Sequence, residues 1–219
     1  MGGYGLISRF YDRALEPLNA PLRRVAHRMY PPDPGWTVLD VGCGTGAGLA
    51  EYAAAGCSVI GVDTSPAMIA AARQRLGPDA DLRPADGPRL PIRDGCADLV
   101  LISLVLHSVP RADAGALLRE AGRALTPEGR VLVTDFGTNG LRFPRGWATR
   151  GLTVVAEVLA GPTHAGHAVA YLRAGGLGPL VEAAGLAIHA QRQSAGGNIT
   201  LALLATPDDG GRGPAMSPS

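Results

Sequence analysis

The residues from Asp40 to Gly46 (Asp-Val-Gly-Cys-Gly-Thr-Gly) place a carboxylate and three glycines between a strand pattern and a helix pattern. Glycines at such a turn let the backbone bend tightly and approach a ligand that a Cβ atom would displace. Asp63 ends the next strand pattern, 21 residues after Gly42, where a carboxylate can accept hydrogen bonds from both hydroxyls of a ribose. This combination predicts a site for a ligand that contains a nucleoside.

The glycine pattern alone fits two kinds of ligand, because Gly42, Gly44 and Ala47 also satisfy the GxGxxG/A pattern of dinucleotide sites. Three features favour S-adenosyl-L-methionine over NAD. Asp40 suits a cationic amino and sulfonium group better than a pyrophosphate. Asp86 follows the third strand pattern, where it can accept from an adenine amino group. The chain ends in a hairpin pattern, whereas dinucleotide enzymes normally supply a second mononucleotide-binding half.

The elements that must position these residues follow from an alternation of strand and helix patterns. From Thr37 to Phe136, nearly continuous apolar strands alternate with helices, which indicates a parallel sheet covered on both faces. After Gly178 one helix pattern precedes two strand patterns, and Gly196-Gly197 between the two strands is typical of a hairpin turn. The predicted fold class is therefore α/β: a doubly wound, Rossmann-like sheet of seven strands, mostly parallel, with a C-terminal antiparallel hairpin.

The patterns also divide the chain into segments. Residues 1–35 have a helical apolar spacing broken by prolines, Pro21 among them, which predicts an N-terminal lid of two short helices. Residues 36–205 form the main domain. Within it, residues 137–178 are long for a connection, so we expect them to cap the substrate site. Residues 206–219 are rich in Gly, Pro and Ser, which is typical of a disordered tail.

Composition narrows the choice of partners. Twenty basic residues against nineteen acidic ones give a net charge of +1, which argues against a nucleic-acid binder and favours a small-molecule partner. All the basic residues are Arg, which excludes lysine Schiff-base chemistry. Cys43, Cys57 and Cys96 form no CxxC pair, which favours a reducing cytoplasm. The chain has no apolar run long enough to span a bilayer and no signal-peptide pattern, so no integral membrane association is expected, and the oligomeric state stays open.

Five motifs in order make the region from Thr37 to Phe136 resemble one known family. They are VLDVGCGTG, VIGVDTSPAMIAAAR, ADGPRLP, DLVLISLVLHSV and LTPEGRVLVTD. The region resembles the class I S-adenosylmethionine-dependent methyltransferases, and within them the small-molecule group that includes quinone and phospholipid methyltransferases. The resemblance implies S-adenosyl-L-methionine as cofactor and methyl transfer as the reaction.

The resemblance also implies roles for individual residues of the cofactor site. The loop after the first strand would line the methionine and ribose portions, and the ends of the next strands would hold the ribose and the adenine. Ser103, at the end of the fourth strand, would lie beside the methyl group through its backbone. The residues expected to bind the cofactor are Tyr11, Asp40, Gly42, Cys43, Gly44, Gly46, Asp63, Thr64, Met68, Asp86, Gly87 and Ser103.

Aromatic and histidine side chains leave alternatives open. Tyr11, in the N-terminal segment, is expected to close over the cofactor, or else to be a lid or core aromatic without ligand contact. His107 matches a histidine common in the family and could act as a base or have a structural role. His164, His167 and Tyr171 share one face if their segment is helical. They would then line a substrate pocket and take a proton, or form a solvated face.

The predicted function is methyl transfer to a small, apolar acceptor such as a natural product, a quinone or a lipid-like compound. The sequence lacks the Asn/Asp-Pro-Pro-aromatic motif of amine-directed nucleic-acid and glutamine methyltransferases, and no carboxylate cluster suggests a metal. Two alternatives remain at this point. One is an NAD(P)-binding oxidoreductase, and the other is an S-adenosylmethionine-binding protein that catalyses a different reaction.

Overall fold

The computed structural model describes residues 19–138 and 140–207. Seven strands and seven helices make up the described part of the chain, and the predicted motifs include the ends of the parallel strands. The strands are β1 Thr37–Val41, β2 Ser58–Asp63, β3 Asp81–Pro84, β4 Ala97–Ser103, β5 Leu125–Phe136, β6 Ala187–Ser194 and β7 Ile199–Ala205. The helices are α1 (19–29), α2 Ala47–Ala54, α3 Pro66–Leu76, α4 Arg111–Ala124, α5 Arg145–Ala160, α6 Pro162–Arg173 and α7 Leu177–Ala183.

The strands form one sheet in the order β3-β2-β1-β4-β5-β7-β6. Strands β1 to β5 are parallel, while β7 runs antiparallel to both β5 and β6. This confirms the predicted doubly wound sheet and its C-terminal hairpin, whose turn is the short 3-10 segment Ala195–Gly197. The carboxyl ends of β1, β2, β4 and β5 therefore lie along one edge, the position where open α/β sheets bind ligands.

The central strands are buried because both faces of the sheet are covered. Val38 and Leu39 of β1, Leu99 of β4 and Val131 of β5 have no exposed surface, as their apolar runs predict. Local signals set the helix ends as well. For example, the Ser65 hydroxyl accepts from Met68 N at 3.4 Å and Pro66 is the first residue of α3.

The N-terminal segment differs from the sequence-based expectation at one proline. Residues 19–29 are one helix that includes Pro21, so this proline does not separate two helices among the described residues. Arg23 of α1 bonds Glu51 of α2 at 2.6 Å, and the His27 ring packs edge-on against Tyr52 with centroids 4.6 Å apart. Helix α1 is therefore anchored on α2, next to the glycine loop.

Some predicted features lie outside the described residues. They are Tyr11 with the rest of residues 1–18, and residues 208–219 of the expected tail. Within the described part of the chain, no helix combines the length and apolar character that crossing a membrane requires.

Candidate active site

The glycine loop after β1 is shaped by backbone hydrogen bonds to β2. Gly42 N and Cys43 N both donate to Val62 O, at 2.8 and 3.0 Å. Gly42 has a φ of 74°, and a Cβ there would lie 2.5 Å from Val105 Cγ2. At Gly44 (φ 54°) a Cβ would meet nothing within 4 Å, so this glycine faces open space at the sheet edge. Gly42 must therefore be a glycine, because its positive φ and its close approach to Val105, in the segment after β4, both exclude a Cβ atom.

Asp63 joins this loop to the end of β2. Its Oδ2 accepts from Gly44 N at 2.8 Å, and its Oδ1 accepts from Ser65 N at 2.8 Å. Each carboxylate oxygen can accept more than one hydrogen bond, so both oxygens keep capacity for a diol. The two backbone bonds fix the carboxylate's orientation, which supports its predicted role toward ribose hydroxyls.

Asp40 is a buried acid below the same loop. Burial and the nearby charge of Asp63 raise the pKa of Asp40 to about 7, although Arg23 acts in the opposite direction. Its Oδ1 atom has no hydrogen-bond partner among the described residues. A buried carboxylate with an unused oxygen is stabilised by a cation. The site therefore fits the cationic amino and sulfonium groups of S-adenosyl-L-methionine.

Two residues of the loop turn away from the sheet edge. The Cys43 side chain is buried against Leu49 and Gly61, and burial raises the pKa of its thiol far above the usual range. A Cβ at Gly46 would contact Leu76 at 3.0 Å and Ala72 at 3.2 Å, so Gly46 faces α3. Cys43 can therefore meet a ligand only through its backbone, and Gly46 lets α2 and α3 pack closely.

The remaining predicted cofactor residues lie at or just after the carboxyl ends of β2, β3 and β4. Thr64, Asp86 and Ser103 are exposed, while Met68 and Gly87 are half-buried. These positions follow strand ends or begin the helix after β2, which supports the order of contacts that the motifs imply: ribose, adenine, then methyl group.

The loop that contains Asp86 and Gly87 is hydrogen-bonded through its backbone to side chains of helix α4. Arg123 donates to Leu90 O at 3.3 Å and Ile92 O at 3.1 Å, and Glu120 accepts from Leu90 N at 2.9 Å. Glu120 also bonds Arg123 at 2.7 Å. Helix α4 thus fixes the backbone of this loop by a paired arginine and glutamate that the sequence motifs did not reveal.

His107 follows β4 and lies between two carboxylates. Its Nδ1 bonds Asp135 Oδ1 at 2.6 Å, its Nε2 lies 3.4 Å from Glu157 Oε1, and its ring stacks on Phe136. Burial lowers the pKa of His107, but the hydrogen bonds and charges of Asp135 and Glu157 outweigh burial and raise that pKa to about 9. The ring is a cation at neutral pH. This favours the structural role over that of a base.

Asp135 is the centre of this cluster and was missed in the sequence. It is fully buried and also accepts from the backbone N–H groups of Leu106 and Phe136 at 2.9 and 2.7 Å. The signal that could have revealed it is an acid closing the buried fifth strand, VLVTDF. Glu157, on α5, had no such signal, because its partner His107 is 50 residues away in the chain.

The other two candidate histidines lie on helix α6, as the shared face requires, but they have different partners. His164 is about half-exposed, with Nδ1 3.9 Å from Glu157 Oε2. His167 is half-buried and its Nδ1 lies 3.0 Å from Ser108 O, so Nδ1 donates to this carbonyl and, when the ring is neutral, Nε2 is the acceptor. His167 and Tyr171 line a cavity of about 30 Å³ between α6 and the segment after β4. Because His107 lies between two carboxylates and His164 lies near Glu157, His167 remains as the candidate base.

Among residues 19–138 and 140–207, no group of three or more His, Cys, Asp or Glu side chains is placed to hold a metal ion.

Comparison with known proteins identifies the domain that carries this geometry. Residues 39–133 match the family model described as a methyltransferase domain. The chain is 37% identical over 116 residues to a demethylmenaquinone methyltransferase of Corynebacterium kroppenstedtii, covering 53% of this chain and 48% of that protein. It is 36% identical over 141 residues to the demethylmenaquinone methyltransferase of Beutenbergia cavernae, covering 63% and 58%. The match thus spans about half the length of these relatives.

A solved structure shows the same fold. A TehB-like S-adenosylmethionine-dependent methyltransferase from Corynebacterium glutamicum superposes with a TM-score of 0.61 and 21% identity, covering 92% of this chain and 98% of that one. These matches give no support to an NAD(P)-binding oxidoreductase. Residues 39–133 therefore match a methyltransferase domain, on a fold shared with an S-adenosylmethionine-dependent methyltransferase of solved structure.

Proposed function

We propose that this protein transfers the methyl group of S-adenosyl-L-methionine to a small apolar acceptor at the carboxyl edge of the sheet. The observation that carries the proposal is the pair of acids around the glycine loop. Asp63 is oriented by two backbone bonds, and buried Asp40 retains an unused oxygen. A diol on one side and a cation on the other are what these two carboxylates would bind.

The chain's own residues would act mainly by positioning. When bound, the cofactor supplies an electrophilic methyl group activated by its sulfonium charge. Gly44 leaves room at the edge, Asp63 would hold the ribose, and Met68, Asp86 and Gly87 would hold the adenine, with Thr64 beside them. The backbone of Ser103 would face the methyl group. Holding two reactants in line can lower a barrier by about 7 to 11 kcal/mol in favourable intramolecular models.

The backbone after Ser103 supports this placement. Leu104 has a positive φ of 58°, which is uncommon for a residue with a Cβ, and its N–H donates to Thr134 O at 2.7 Å. This conformation turns the chain sharply at the end of β4.

We infer that His167 is the base, if the acceptor needs one. A hydroxyl or acidic carbon acceptor loses a proton, and a positioned base contributes roughly 10² to 10⁴-fold. His107 is cationic between two carboxylates, and His164 is about half-exposed. His167 offers a free Nε2 within a segment, residues 137–178, that we propose as the acceptor cap.

The acceptor class rests on the named relatives. Two of them are demethylmenaquinone methyltransferases, so a quinone-like acceptor is the first choice within the apolar class. We also assign the protein to a reducing compartment such as the cytoplasm, because Cys43, Cys57 and Cys96 are free thiols. The net charge of +1 supports a small-molecule partner rather than a nucleic acid.

The test is transfer of a labelled methyl group from S-adenosyl-L-methionine to panels of quinols, phenols, amines and lipids. We expect label in an apolar quinol or phenol, and a loss of transfer of at least about tenfold in His167→Gln. His189→Gln, an exposed histidine on β6, is the matched control and should keep the rate. Absence of cofactor binding by calorimetry would refute the proposal, and label confined to amines would refute the acceptor class.

A further inference from the structure

Helix α5 contacts the protein body through polar side chains. Thr149 Oγ1 donates to Ala195 O at 2.8 Å, Arg150 donates to Gly137 O at 2.6 Å, and Thr153 Oγ1 accepts from Asn198 at 2.8 Å. Glu157 reaches His107 one turn further along. At 3.6 residues per turn these four positions span an arc of about 100°. The side of α5 that faces the sheet is therefore polar.

The opposite side of α5 is apolar and exposed. Trp147 is 64% exposed and Val158 is 62% exposed, and Phe143 just before the helix is 86% exposed. The apolar helix positions span an arc of about 160° that does not overlap the polar one. We call this set the outer face of α5, consisting of Phe143, Trp147, Leu152, Val154, Val155 and Val158. A helix on a globular protein normally has the reverse arrangement.

The charges around the outer face have one sign. The stretch 137–176 contains four arginines and one acid, Glu157. Arg150 lies on the inward arc and Arg173 lies on α6, so two arginines border the outer face. Glu157 lies on the inward arc against His107, so it does not offset the positive charge outside. Arg142 and Arg145 are exposed beside Phe143 and Trp147, at the start of the helix. Apolar and aromatic residues bordered by arginine are the composition of helices that lie in a membrane interface.

We propose that the outer face of α5 binds the surface of an anionic lipid bilayer. The apolar side chains enter the boundary between headgroups and acyl chains, and Arg142 and Arg145 contact anionic headgroups. The distance from Trp147 to Val158 along the helix is about 17 Å, enough for an in-plane contact. Exposed apolar patches of this kind mark interaction sites, and the arginines favour an anionic partner.

The contact would put the bilayer beside the sheet edge. Helix α5 bonds Gly137 after β5 and His107 after β4, so it crosses the carboxyl ends of both strands. An apolar molecule dissolved in the bilayer would then lie one helix diameter, about 10 Å, from this edge. The proposal goes beyond methyl transfer and does not depend on it, because lipid binding is measured without turnover.

The experiment uses the full chain with Trp36→Phe, which leaves Trp147 as the only tryptophan. Vesicles of phosphatidylcholine are compared with vesicles of phosphatidylcholine and phosphatidylglycerol in equal parts. We expect sedimentation with the anionic vesicles and a blue shift of Trp147 emission. Val154→Ser with Val158→Ser should weaken binding at least about tenfold. Arg142→Gln with Arg145→Gln should remove the preference for phosphatidylglycerol.

Ile188→Ser is the matched control, because Ile188 is an exposed apolar residue on the edge strand β6, and binding should not change. Unchanged Trp147 emission and protein left in the supernatant with both vesicle types would overturn the proposal. So would a dimer that Val154→Ser with Val158→Ser converts to a monomer, which would assign the face to a second copy. Blue-shifted Trp147 emission in a lipid-free monomer would instead assign it to another segment of this chain.

Discussion

The two halves of the sheet's carboxyl edge are held together by different kinds of contact. On the β1 and β2 side, the glycine loop bonds Val62 and Asp63 through backbone N–H groups, all within 24 residues of chain. On the β4 and β5 side, side chains far apart in sequence meet: His107 with Asp135, and Thr153 with Asn198. The first half can be recognised from a short motif, and the second depends on how α5 packs.

The largest expected effect is on cofactor affinity and concerns the β1 and β2 side of the carboxyl edge. Asp63→Ala removes a carboxylate that we expect to accept from two ribose hydroxyls, each charged hydrogen bond being worth about 1.5 to 3 kcal/mol. Affinity for S-adenosyl-L-methionine, measured by calorimetry, should fall roughly a hundredfold or more. Asp79→Ala, at an exposed acid after α3, serves as the control. An unchanged dissociation constant for Asp63→Ala would show that the two halves do not differ in this way.

The next prediction concerns the β4 and β5 side of the carboxyl edge and tests it through the pH dependence of stability. The pKa of His107 is about 9 in the folded protein, above the 6.5 of a free histidine. The charged ring therefore stabilises the folded state fully below about pH 6.5, and this stabilisation is lost as the pH rises through 9. The free energy of unfolding should therefore fall between pH 7 and 9.5, by up to roughly 3 kcal/mol. Chemical denaturation across this pH range measures it.

Two variants sharpen that measurement. Glu157→Gln removes one of the two carboxylates, so the loss of stability should begin at lower pH. His189→Gln, at an exposed site, should leave the profile as it is. If the free energy of unfolding of the wild type is constant between pH 7 and 9.5, the charged His107 ring does not stabilise the β4 and β5 side of the carboxyl edge.

A smaller effect is expected from the contact between Arg123 of α4 and the loop that contains Asp86. Arg123→Ala removes donors to Leu90 O and Ile92 O, and the loop carrying Asp86 should become less ordered. Steady-state kinetics should show KM for S-adenosyl-L-methionine rising about three- to tenfold, about 0.7 to 1.4 kcal/mol, with kcat retained at saturation. Arg119→Ala on the exposed side of the same helix is the control. A fall in kcat without a change in KM would contradict a positioning role.

The smallest effect concerns one bond beneath α5. Thr153→Val removes the acceptor for Asn198 Nδ2 and should lower the free energy of unfolding by about 1 kcal/mol, read from the urea midpoint. Val154→Thr, one residue along on the outer face, should change stability by no more than about 0.5 kcal/mol. Equal effects at both positions would mean that the inward polar contacts do not hold the helix.

Much of the fold was predictable because its signals are local. Alternating apolar strands and helices indicated the parallel sheet, and Gly196-Gly197 marked the hairpin that β6 and β7 form. The positions of Gly42 and Asp63 followed from a motif whose geometry is set within one strand-loop-helix unit. Pro21 was misleading, since residues 19–29 form one helix around it.

The amino-acid sequence by itself determined which residues stand at strand ends, since periodicity and glycine spacing act over a few residues. Only the tertiary structure decided the state of His107, because its pKa depends on Asp135 and Glu157, which the fold brings to within 3.4 Å from 28 and 50 residues away. Periodicity shows that α5 has a polar side and an apolar side. Which side faces the body depends on partners such as Asn198 and Ala195, because burying their polar groups without bonds would be costly.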